Sequence, residues 1–142
     1  NQSGGKGLPE GLCRLYFQQL ICGLHACYTN GISHGNLKPD NLLIDTRGCL
    51  RIMDFGFDNL QKIKEYLTSG RGTTCFVAPE LVLHSPRGSE KADLWSAAAI
   101  LFTALSGQYP FGQISDPTGR REEVLEDIKA ARYCIPECIN AA

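Results

Sequence analysis

His34-Gly35-Asn36-Leu37-Lys38-Pro39-Asp40-Asn41 is the stretch that decides the fold. It sets an imidazole, an ammonium and two carboxamides into eight residues between two apolar segments. Upstream, Leu8, Leu12, Tyr16, Leu20, Leu24 and Tyr28 recur every four residues, and Phe17 and Ile21 widen the stripe. Pro9 suits a first helical turn and Asn30-Gly31 a last one, so the spacing predicts a helix over 9–29. Downstream, 42–44 and 50–53 are short apolar runs joined by Asp45-Thr46-Arg47-Gly48, which predicts a small hairpin.

Further out, Asp54-Phe55-Gly56 follows the hairpin, and Gly72-Thr73 precedes Ala78-Pro79-Glu80. Asp93-Leu94-Trp95-Ser96 opens an apolar run that closes at Gly107-Gln108-Tyr109-Pro110-Phe111. Taken in order, these motifs resemble eukaryotic Ser/Thr protein kinases: the H-R-D-L-K-P-[DE]-N catalytic loop, D-F-G, A-P-E and the central D-x-W-S helix. The resemblance runs from about Leu8 to Cys138, and 17–20 and 41–45 look most like the AMP-activated and plant calcineurin-B-like-interacting group. It implies a mainly α fold with one small β hairpin, the C-terminal lobe of a kinase. No G-x-G-x-x-G loop and no lysine-bearing V-A-x-K strand occurs, so residues 1–142 are expected to be a partial kinase domain, truncated at both ends and without the upper lobe.

Composition narrows the partners. Fourteen basic and 15 acidic residues leave a net charge of −1, and nothing in the sequence suggests a nucleic-acid footprint or a polybasic membrane patch. No signal peptide and no membrane-length apolar run is present, so an intracellular, cytoplasmic or nuclear protein is expected. Seven cysteines follow no framework spacing, and Cys134-x-x-x-Cys138 lacks a second pair of ligands, which favours reduced thiols over zinc.

The rest of the chain predicts a mixed segment over 54–74, a short helix over 79–84, and a break at Ser85-Pro86-Arg87-Gly88. Ser89 can cap a helix that is apolar nearly all round over 92–106, the pattern of burial on every side. Thr118 can cap a last helix over 119–132 with a charged outer face, and Pro136 stops the pattern.

The chemistry of each site residue is what the resemblance implies. Asn41 and Asp54 would supply oxygen ligands to Mg²⁺ and bind Mg-ATP, with weak or no binding expected from this chain; their plainer reading is a loop amide and an exposed acid. Leu43 would floor the adenine slot, and is equally consistent with an ordinary strand residue. Lys38 would stabilise the transferred phosphoryl group, with Thr73 hydrogen-bonded beside it. Asn36 stands at the position of the catalytic Asp, and a neutral amide cannot take a proton as a carboxylate does. Gly35 stands where the family has an Arg that grips a phosphate on the activation segment, for which Ser69 is the candidate site. His34, Phe55, Glu80 and Asp93 would be structural: His34 behind Phe55, Asp93 on the loop backbone, and Glu80 toward an Arg beyond residue 142. Two functions follow: an impaired phosphotransferase with a protein Ser/Thr substrate, or a pseudokinase module that docks a partner without chemistry. A decayed fragment is the third reading.

Overall fold

The computed structural model describes residues 6–55, 74–83, 89–112 and 121–140. The order is α1 (Glu10–Thr29), a 3₁₀ turn (Pro39–Asn41), β1 (Leu42–Ile44), β2 (Leu50–Ile52), a second 3₁₀ turn (Thr74–Phe76), α2 (Pro79–Val82), α3 (Glu90–Ser106), α4 (Arg121–Lys129) and α5 (Glu137–Asn140). The fold is therefore mainly α with one two-stranded antiparallel sheet, in register Leu42 to Ile52 and Ile44 to Leu50. The mixed segment over 54–74 lies mostly outside the described residues, with Ser69, Gly72 and Thr73.

α1 forms where the apolar period demands it. Leu20 and Leu24 are buried against Ala97 of α3, and Phe17, Ile21 and Tyr28 pack around them. β2 lies on the same helix, where the Leu50 N–H donates to Gln19 Oε1 at 2.8 Å. The hairpin turn is held by one carboxylate: Asp45 accepts from the backbone N–H groups of Arg47 and Cys49 and from the Arg51 guanidinium. Those donors keep its carboxyl below the usual carboxylate range, the Cys49 amide first.

α3 starts at Glu90, directly after Ser89, which caps it as the sequence suggests by accepting the Ala92 N–H at 3.2 Å. Gly107 ends it at φ 71°, a left-handed turn that glycine takes without a Cβ penalty. The predicted all-round burial does not hold. Ala97 and Ala99 are buried, but Ala98 is exposed and Leu101, Phe102 and Leu105 are half-buried. α1 covers one side of α3 and the 74–76 turn another, so among the described residues part of its surface stays open. A second core joins Phe76, Val82, Ala99, Phe111 and Ile128, with Trp95 stacked on Phe111 at 5.7 Å. Pro136 does not end the helical pattern: the single turn of α5 follows it.

Candidate functional site

The loop 34–41 is pinned at both ends and in the middle. At its start, the Asp93 carboxylate of α3 accepts the His34 N–H at 2.7 Å and the Gly35 N–H at 2.8 Å, one on each oxygen. In the middle, the side chain of Leu37 is buried in the α1–α3 core. At its end, the 3₁₀ turn feeds β1, and the Asn41 N–H donates to the Lys38 carbonyl. Burial raises the Asp93 carboxyl above its ordinary value, while the His34 and Gly35 amides pull the other way.

His34 has both ring nitrogens engaged. Nδ1 accepts from the Asn36 N–H at 3.2 Å, so it carries no proton. Nε2 therefore bears the hydrogen and donates to the Met53 carbonyl at 2.7 Å. The ring also meets Phe55, centroids 4.7 Å apart. Such a histidine ties the loop to the end of β2 and has no lone pair left for proton transfer.

The same hinge brings Asn41 to the end of β2, one residue before Asp54. The Met53 N–H donates to the Asn41 carbonyl at 2.9 Å, so the residue after Met53 starts next to the buried Asn41 side chain. Asn41 Nδ2 donates to the Asn36 carbonyl at 2.8 Å, which leaves its Oδ1 as the atom able to meet a cation. Asp54 is exposed and holds φ 58°, a left-handed conformation that costs an L-residue about 1–2 kcal/mol. One amide oxygen and one carboxylate are a hard donor pair. They fit Mg²⁺ whose remaining ligands are water and phosphate oxygens. No group of three or more His, Cys, Asp or Glu that could hold a metal ion occurs among the described residues.

The remaining site residues divide. Asn36 and Lys38 are half-buried on the loop, Leu43 is 49% exposed on β1, and Glu80 is half-buried in the first turn of α2. Thr73 and Ser69 lie outside the described residues. Cys75 is buried, its thiol pushed up to about 12 by desolvation, so it is an inert core group. Two residues were not singled out from sequence. Leu37 was a visible signal, an apolar residue inside a polar loop. Tyr28 was read only as a member of the α1 stripe.

A family model described as "Protein kinase domain" matches residues 2–139. The chain is 42% identical over 138 residues to CBL-interacting serine/threonine-protein kinase 20 of Arabidopsis thaliana, covering 95% of this chain and 31% of that protein. It is 38% identical over 133 residues to CBL-interacting serine/threonine-protein kinase 21 of the same plant, covering 94% and 31%. It is 43% identical over 108 residues to CBL-interacting protein kinase 30 of Oryza sativa subsp. japonica, covering 74% and 23%. The chain thus spans about a quarter to a third of the length of these relatives.

Proposed function

The chain belongs to the protein kinase family, and on that premise we propose that it is part of a cytoplasmic or nuclear Ser/Thr kinase whose catalytic step is impaired. The reaction is transfer of the ATP γ-phosphoryl group to a protein Ser or Thr hydroxyl. The observation that carries this reading is the loop itself. Asp93 and Asn41 hold its backbone at Gly35 and Asn36 by hydrogen bonds of 2.8 Å, and the His34 ring ties it to the Met53 carbonyl at 2.7 Å, while residue 36 offers an amide.

When bound, Mg-ATP supplies the phosphoryl group and a cation that neutralises its charge. Asn41 Oδ1 and the Asp54 carboxylate would hold that cation. Lys38 would set a point charge beside the transferred group, with Thr73 next to it. Leu43 would support the adenine ring. Asn36 can accept a hydrogen bond from the substrate hydroxyl and so orient it. It cannot carry the proton away, because an amide oxygen is far less basic than a carboxylate. Losing a positioned base costs about 10²–10⁴ in rate, roughly 3–5 kcal/mol of barrier.

The second reading, a pseudokinase module that docks a protein partner, is favoured by Gly35 as well as Asn36. A glycine at 35 has no cation to meet a phosphate on Ser69. The test is phosphoryl transfer to a Ser/Thr peptide by the full polypeptide and its K38M variant. Slow transfer that falls further in K38M supports the impaired enzyme. Transfer at background in both supports the docking module.

A further inference from the structure

Tyr28 leaves the last turn of α1 and reaches the first turn of α3, 62 residues on. Its hydroxyl donates to the Glu90 carbonyl at 3.3 Å, three residues before Asp93 on the same helical turn. Asp93 already takes one loop amide on each oxygen. The phenol has one proton, and its hydrogen bond to Glu90 ties α1 to the helical turn that carries the residue holding the loop. Burial and the nearby Asp93 and Glu90 carboxylates push its ionisation upward, so it stays a donor.

We propose that Tyr28 is a positioning residue: its hydroxyl ties the end of α1 to Glu90, and so fixes the helical turn from which the Asp93 carboxylate receives the His34 and Gly35 amides. This goes beyond the catalytic reading, because it concerns what holds the loop and not what the loop does. The aromatic ring has a separate role in the α1–α3 core, where it packs with Leu20, Leu24 and Leu37. Removing the hydroxyl alone separates the two.

The experiment is amide hydrogen exchange, resolved by residue, on the full polypeptide and its Y28F variant, which keeps the ring. Exchange at His34 and Gly35 should accelerate about tenfold, while Leu20 and Leu24 in the middle of α1 stay within about twofold. Equal acceleration at all four positions means general destabilisation and overturns the proposal, as does no change at His34 and Gly35. If Y28F does not fold, the wild-type chain decides. An exchange-protected Tyr28 hydroxyl proton with an Overhauser contact to the Glu90 α-proton supports the bridge. A hydroxyl exchanging as fast as that of free tyrosine overturns it. None of these readouts uses activity, so the bridge stands or falls apart from the catalytic reading.

Discussion

The Asp93 carboxylate accepts the backbone N–H groups of His34 and Gly35 at 2.7 and 2.8 Å across 59 and 58 residues of sequence. Asp93 is 1% exposed, on a helix buried against α1 and the 74–76 turn. A loop of polar residues is thereby fastened to the core by two charge-assisted hydrogen bonds. Leu37, between Asn36 and Lys38, drives the same loop inward by burial. The two anchors are of different kinds, so solvent conditions that weaken one need not weaken the other.

Replacing Asp93 by Asn should cost about 1–3 kcal/mol, because the amide group turns a donor toward one of the two loop N–H groups and leaves it unpaired. The pH dependence has an unusual sign for an acid. Burial sets the Asp93 pKa in the folded chain above the unfolded value of about 3.9, so the folded state binds more protons in the window between the two. Stability from this group is complete below the unfolded pKa and declines as pH rises through the folded one. Urea unfolding of wild type and D93N across that window checks this. Ionisation restores the second acceptor but creates a buried charge, and burial is the larger of the two. The stability difference between wild type and D93N should therefore fall as pH rises, and a difference that grows would show that the two amides outweigh burial.

Gly35 should resist substitution by any L-residue. Its φ is 74°, and a Cβ in that region costs about 1–2 kcal/mol. G35A adds no charge and isolates the backbone effect, so its urea midpoint should fall by an amount equivalent to that energy. G35R should fall by a similar amount. A midpoint equal to wild type in both would mean that the loop relaxes to negative φ without loss.

The 142 residues by themselves should bind Mg-ATP with a dissociation constant weaker than about 10 μM, near −7 kcal/mol. Leu43 is 49% exposed, and Met53 and Phe55 are 40% and 44% exposed, so among the described residues an adenine ring placed on Leu43 would meet one wall. Asn41 and Asp54, the proposed cation ligands, would anchor only the phosphate end. Isothermal calorimetry measures this directly, and tighter binding would contradict it.

Much of the architecture was legible because its signals are local. The four-residue stripe of α1, the Ser89 cap and the short runs of β1 and β2 each report a period or a terminus that backbone geometry enforces. The all-round burial expected of α3 was not, since an apolar run states that a helix can be buried but not which neighbours cover it. Ala98 is exposed while Ala97 and Ala99 are not. Site residues close in sequence could be grouped from the chain alone. The meeting of Tyr28 with Glu90 spans 62 residues and leaves no mark in spacing. The His34 tautomer was equally hidden, because it depends on the Met53 carbonyl and not on any side chain.

Restoring a carboxylate by Asn36→Asp should raise phosphoryl transfer only where the rest of the machinery is present. Asn41 Nδ2 binds the backbone carbonyl of residue 36, which the substitution leaves in place, so the new carboxylate inherits the loop path of the amide. In the 142 residues alone no transfer is expected, since a base is worth a few orders of magnitude and acts together with the groups that grip the phosphates. The discriminating design joins this segment to an intact upper lobe and the further C-terminal helices of a related kinase. In that chimera, N36D should accelerate transfer to a Ser/Thr peptide by about 10²-fold or more. G35R should add to it only when Ser69 is phosphorylated, because a guanidinium helps only against a charge it can meet. It must also overcome the strain of an L-residue at φ 74°. Equal rates with Asn and Asp at position 36 would show that the amide is not the defect, and the impaired-enzyme reading would have to be abandoned.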